Sequence, residues 1–215
     1  MHRKLVLVGG GGHGQSVIDV IEAEGIWTIA GILDVPEKVG ERVLGYEIMD
    51  TEQAIPLLAT ENAFLITVGQ VRTSQPRERL FQSVRQAKGK LPVVVSPQAY
   101  VSPHATLGKG SVVMHQALVN AGAMIGVNAI INSQALIEHG TWVGNHCHIA
   151  TGAIINGDCR VEDRTFVGSR ATVLQGVTIG TDIVVGAGAV VTQSLTEPGV
   201  YVGIPARRKV LGSKF

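Results

Sequence analysis

The sequence predicts an α/β half-domain over residues 1–92 followed by a parallel β-helix over residues 93–215. Three observations carry this expectation. Apolar runs alternate between strand-like and helix-like spacing as far as Leu91. From Val95 onward every sixth residue is aliphatic. Aromatic residues make up only 4% of the chain, against 27 glycines. A core with few large rings must be filled by stacked small and branched side chains, as in a repeat architecture.

In the first half, Leu5 to Val8 is an apolar run ended by glycines, which predicts a strand. Val17, Ile18 and Ile21 then recur at helical spacing before Gly25 stops the segment. Ile29 to Leu33 reads as a second strand ending at Asp34. Thr51 is placed to cap a short helix carrying Ala54, Leu57 and Leu58, which Pro56 limits. Phe64 to Val68 predicts a third strand, and Arg77 to Lys88 a third helix with Leu80, Phe81 and Val84 inward. Regular alternation of strand and helix argues for a small parallel sheet with helices on its faces.

Between the first strand and first helix, Gly9, Gly11 and Gly14 have the spacing G-x-G-x-x-G, and Asp34 follows twenty residues after Gly14. This is a Rossmann-like fingerprint: glycines let a ligand approach the backbone, and the helix N-terminus attracts anionic oxygen. The half-domain is too short for the full six-stranded dinucleotide fold. His13 beside the helix start also points to a group other than NAD, and a purely structural tight turn is the remaining alternative.

From Val95 the pattern changes. Val95, Val101, Leu107, Val113, Val119, Ile125, Ile131, Ile137, Val143, Ile149, Ile155, Val161, Val167, Val173, Ile179, Val185 and Val191 form an unbroken six-residue series. Four residues after most of them comes a small residue: Ala117, Ala123, Ala129, Ala135, Thr141, Cys147, Ala153. Helices repeat near 3.6 residues and plain strands near 2, so neither explains a period of six. A β-helix does, with aliphatics pointing into the coil and small residues where it turns a corner. Cys147 and Cys159 fall at the small positions and read as packing residues rather than nucleophiles.

The chain carries 18 basic and 17 acidic residues, a formal charge of +1, with no block of like charge. Nothing in that balance suggests nucleic acid or a membrane surface. Two cysteines are too few for a disulfide framework. No stretch approaches a membrane span, and the first residues lack the apolar core of a signal peptide, so a cytoplasmic protein is expected.

Three stretches carry a family resemblance: Val8-Gly9-Gly10-Gly11-Gly12-His13-Gly14, Ile137-Glu138-His139, and Gly199-Val200-Tyr201-Val202-Gly203-Ile204-Pro205-Ala206. With the hexads between them, the whole chain resembles the bacterial sugar acyltransferases. That family includes sialic acid O-acetyltransferases and N-acetyltransferases of nucleotide-linked 4-amino sugars, which serve surface-glycan or protein glycosylation. The resemblance implies a left-handed β-helix of three hexads per coil and a homotrimer with active sites between neighbouring β-helices. It also implies acetyl-CoA as co-substrate, no metal, and an N-terminal domain holding the nucleotide-sugar. The substrate it suggests first is a UDP-, GDP- or dTDP-linked 4-amino-4,6-dideoxyhexose; O-acetylation of sialic acid or a related sugar is the alternative.

On that reading Gly11, Gly12, His13 and Asp34 hold the nucleotide diphosphate-sugar, with Arg77 a weaker candidate for diphosphate contact or else a solvated first-turn arginine. Acetyl transfer needs a group to take the acceptor's proton as it attacks the thioester, and an imidazole suits this. His139 stands out among the seven histidines. It lies two residues after inward Ile137, where a side chain projects outward near a corner toward a neighbouring subunit. Gly157, stacked eighteen residues on, leaves space beside it, and the family's catalytic base aligns with it. Many N-acetylating members have an acidic residue directly after this histidine; here the position is Gly140. Glu138, a backbone carbonyl or a neighbouring chain is left to orient the ring. By position in the family motif, His148, Gly157, Ser169 and Ala187 line the acetyl-CoA groove, with ordinary repeat packing the alternative, and Arg207, Arg208 and Lys209 are candidates for its phosphates or else a solvated basic tail. Zinc chemistry on the same fold needs three converging histidines, a spacing this chain lacks, and a non-catalytic scaffold is the other rival.

Overall fold

A computed structural model describes residues 3–209. The buried run Leu5 to Val8 lies in β1 (Arg3–Val8) and is followed by α1 (Gly12–Glu24), which buries Val17, Ile18, Val20 and Ile21. Gly25 ends the helix in the left-handed region at φ 69°, where a side chain would be strained. Next come β2 (Trp27–Leu33), β3 (Arg42–Val43), β4 (Tyr46–Asp50), the single-turn α2 (Ile55–Leu58), β5 (Ala63–Ile66) and α3 (Gln75–Gln86). The sheet order is β3-β4-β2-β1-β5, parallel throughout except for the β3–β4 hairpin.

That hairpin is absent from the sequence expectation. Its strands are short, only Ile48 among their residues is fully buried, and the reversal is made by Leu44 and Gly45, both at positive φ. Thr51 does cap as expected, its hydroxyl accepting from the Gln53 N–H at 3.4 Å, but a 3₁₀ turn precedes α2. The third helix begins two residues earlier than expected. Pro76 stands in its first turn, where the missing N–H has no partner to lose.

In the second half each inward aliphatic closes a short strand, and strands eighteen residues apart pair in parallel: Val119 against Ile137, Ile137 against Ile155. Three sheets of six, five and eight strands form three faces. The first includes residues 118–119, 136–137 and 154–155; the second 124–125, 142–143 and 160–161; the third 112–113, 130–131, 148–149 and 166–167. The aliphatics and the small residues share one continuous core.

The corner geometry refines the sequence reading. The turning residue is not the small one but its predecessor, three after each inward aliphatic. Gly122, Asn128, Gln134, Gly140, His146, Gly152 and Asp158 all have φ between 54° and 73°. The small residues that follow, such as Ala123, Ala135 and Cys147, then pack inward and are fully buried.

The α/β domain covers the third face. Val94, Val112, Met114 and Ile130, which point outward from that face, pack in one cluster with Leu5, Val17, Ile18 and Ile21. Polar ties seal the seam: His115 Nε2 lies 2.8 Å from Asp19 on α1, and the Val95 N–H donates to Glu24. No helix among the described residues is long and apolar enough to cross a membrane.

Candidate active site

The glycine-rich turn opens at the carboxyl ends of β1 and β2. A Cβ on Gly14 would lie 2.4 Å from the Gly9 carbonyl oxygen, so glycine is required there for helix and strand to approach. Gly9 itself sits at φ 116° against Val68. Gly11 and Gly12, by contrast, face open space, and no side chain caps α1. Their carbonyls accept from Gln15 N–H and Ser16 Oγ, and their N–H groups stand at the positive end of the helix dipole, where an anionic group is favoured. Asp34 accepts from the Gly10 N–H at 2.6 Å and from the Val35 N–H at 2.8 Å. Burial pushes its carboxyl up, but those two bonds and Lys38 outweigh it and hold the group below the usual carboxylate range. Asp34 thereby fixes the loop and borders a cavity of about 500 Å³ shared with Thr51, Gln53 and Arg79.

Arg77 is neither a diphosphate ligand on this surface nor a solvated residue. It is fully buried, with its guanidinium donating to the carbonyls of Ile66, Val68 and Asn128 and to Asn128 Oδ1. Helix α3 aims it inward at the seam, so it joins the domains. Its charge is felt nearby. Burial first, then Arg77, then His148 hold the His13 imidazole down to about 3. His148 is held down to about 4 by burial and Arg77, against the raising effect of its bond to Gln70 O. The neutral His148 ring donates from Nδ1 to that carbonyl at 2.6 Å and accepts at Nε2 from Asn132 Nδ2 at 3.1 Å. His13 Nε2 is buried without a partner. The two rings, 6.3 Å apart, line a cavity of about 460 Å³ with Gly12, Asn132, Ser133 and Thr151.

His139 lies elsewhere, on the edge between the first and second faces. It directly precedes the corner residue Gly140, and its side chain is 57% exposed. The ring lies over Gly157: a Cβ there would meet Cε1 at 2.6 Å and Nε2 at 2.7 Å. The space predicted beside the imidazole is thus the place where it rests. Glu138 does not hold the ring. It points back one coil, accepting from Asn120 Nδ2 at 2.8 Å and from the His139 N–H at 3.1 Å. The carboxylate beside the ring is Asp158, with Oδ1 3.9 Å from Nδ1. Sequence reading missed it by looking along the chain; the eighteen-residue stacking rule, applied to Gly140, points straight to it.

The residues expected along the acetyl-CoA groove divide between two edges. Gly157 shares the His139 edge. Ser169 and Ala187 are exposed on the edge between the third and first faces, where Ser133 and Thr151 border the His13–His148 cavity. The second and third faces meet along Asn128 and His146, which α3 covers through Arg77 and Phe81. In one chain, then, His139 is a whole face away from the cavity at the domain seam. At the C-terminal end Arg207 and Arg208 form a short strand beside Tyr201 and Val202, with Arg208 paired to Glu197.

Comparison with known proteins agrees with this architecture. Residues 4–84 match the PglD N-terminal domain, and residues 119–156 and 159–193 match the hexapeptide repeat of succinyl-transferase. A crystal structure of a histidine-to-asparagine mutant of perosamine N-acetyltransferase from Caulobacter crescentus, in complex with CoA and GDP-perosamine, is 34% identical. It superposes with a TM-score of 0.91 over 96% of this chain and 97% of that one. The acetyltransferase domain of PglB from Neisseria gonorrhoeae, in complex with acetyl coenzyme A, is 30% identical, with a TM-score of 0.90 over 97% and 100% of the two chains. WeeI from Acinetobacter baumannii, at 23% identity and a TM-score of 0.78, shares the fold. A search of curated proteins gave no match. Fold and relatives together define an acyltransferase built on a left-handed β-helix of hexapeptide repeats. More narrowly, the chain belongs to the bacterial sugar acyltransferase family.

Proposed function

We propose that this enzyme transfers the acetyl group of acetyl-CoA to the amino group of a nucleotide-linked 4-amino-4,6-dideoxyhexose, as a homotrimer, with His139 as general base. The observation that carries the reading is the division of the site. His139 stands on one edge of the prism, while the glycine-rich turn, His13 and His148 open toward another. Packing β-helices edge against edge in a closed ring brings the His139 edge of one chain to the cavity edge of the next. Relatives of this architecture bind CoA with GDP-perosamine and acetyl coenzyme A, which supports these two substrate classes.

Gly11, Gly12, His13 and Asp34 hold the nucleotide-sugar from the N-terminal domain. Gly157, Ser169, Ala187 and His148 line the groove for acetyl-CoA. His139 Nε2 accepts a proton as the sugar nitrogen bonds to the thioester carbon, and returns it to the sulfur as the C–S bond breaks. The attack is direct, since Cys147 and Cys159 are buried and no acylated residue is needed. Burial pushes the Cys147 thiol up to about 12, far from a thiolate nucleophile.

The test is a panel of nucleotide-amino sugars with acetyl-CoA, followed by release of free thiol. A 4-amino sugar nucleotide should be turned over. His139→Ala should lower kcat at least about a hundredfold, the low end for loss of a general base, while acetyl-CoA still binds. Near-normal turnover by that variant removes His139 from the mechanism.

A further inference from the structure

Position 140 lacks the acidic side chain that resemblance to N-acetylating relatives leads one to look for directly after the base. A carboxylate nevertheless reaches the same place. Parallel coils stack residues eighteen apart, about 4.8 Å from one another, and the residue beneath Gly140 is Asp158. Its N–H donates to the His139 carbonyl at 2.9 Å, which fixes the two coils in register at the base. Its Oδ1 lies 3.9 Å from His139 Nδ1. A Cβ built on Gly140 would lie 2.4 Å from that same oxygen. The space a side chain at 140 would enter is therefore filled by the Asp158 carboxylate, and the glycine is what admits it. Asp158 sits at a corner with φ 57°, a conformation that aspartate tolerates better than most residues.

We propose that Asp158 is the positioning residue of the base, supplying from the next coil the carboxylate that position 140 does not provide. The proposal rests on the assignment of His139 above. With Nδ1–H turned toward Asp158, the Nε2 lone pair faces outward to the acceptor nitrogen. The carboxylate then offsets the positive charge that the ring gains as it takes the proton, and Asp158 itself exchanges none. Gly157, having no side chain, keeps open the space that Nε2 borders. The 3.9 Å contact is an ion-pair distance, and catalytic contacts commonly shorten when substrate is bound.

Steady-state kinetics on Asp158→Asn, Asp158→Glu and the double exchange Gly140→Asp/Asp158→Gly test this, with His139→Ala as reference. Asp158→Asn should lower kcat at least about tenfold, a part of the hundredfold or more that a whole general base contributes, with little change in KM for either substrate. Asp158→Glu should retain more activity than the amide. The double exchange removes the oxygen that blocks position 140 and should recover most of the lost kcat. An Asp158→Asn enzyme with unchanged kcat, or one that loses only KM or thermal stability, overturns the proposal while His139→Ala remains inactive. An active His139→Ala enzyme instead overturns the assignment of the base.

Discussion

A buried guanidinium and two buried imidazoles share the seam between the domains, and desolvation decides which of them carries charge. Arg77 is pulled down only to about 9 and stays protonated near neutrality, with carbonyl oxygens as its partners. His13 and His148, at about 3 and about 4, stay neutral. The sign of the resulting pH dependence follows directly. Above the ordinary imidazole value of about 6.5 folded and unfolded chains bind the same protons at these sites. As pH falls below it, the unfolded chain takes up protons that the folded one refuses, so stability is lost from pH 6.5 downward, toward about 4 for His148 and about 3 for His13. Unfolding at pH 5.5 should therefore take up about two more protons in the parent than in a His13→Gln/His148→Gln variant, measured from the pH dependence of urea midpoints. Equal slopes would show that the imidazoles are not held neutral. His13 was picked out in the sequence from its place at the helix start, and the structure sets it, with its unpartnered Nε2, on the wall of the seam cavity. Arg77 was not legible as a buried residue. Its number in the helix is visible in the sequence, but the direction in which α3 docks is not.

The hexad coil is the element on which the site is built. Ile149 is fully buried between Ile131 and Val167 on the third face, and its neighbour His148 reaches the seam. Ile149→Asp removes about 1.5–3 kcal/mol of apolar burial and adds an unpaired buried carboxylate costing several more. It should abolish the folded protein, seen as loss of cooperative thermal unfolding and of the native size in solution. A cooperative, native-sized Ile149→Asp protein would show the register to be wrong. The coil was legible because one geometric repeat imposes one chemical repeat at every turn. The β3–β4 hairpin was not, since its two strands are short and bury only Ile48 fully, and its pairing with β2 joins it to the sheet.

At the scale of the whole molecule, the cavity at the domain seam and the exposed His139 lie on different edges, so on the proposed mechanism catalysis should be complemented between chains. His13→Ala and His139→Ala proteins, each of low activity, can be mixed by coexpression. If the base of one chain serves the cavity of the next, about a quarter of the sites in randomly mixed closed trimers carry both intact residues. Activity should rise toward that fraction of wild type. No rise above the parent variants would place both residues in one chain's site.

The sequence by itself determined the two patterns, the hexad register and the glycine-rich turn, because both are periodic or local. Inward and outward positions follow from counting, and so does the corner position of His139. Only the tertiary structure decided what depends on stacking and docking. It turned Glu138 toward Asn120, brought Asp158 to the imidazole across a coil, buried Arg77 in the seam, and separated His139 from the His13–His148 cavity by a full face. Contacts between residues eighteen apart, or between domains, leave no mark on adjacent positions. They exist only once the coil has closed and the α/β domain has settled on its third face.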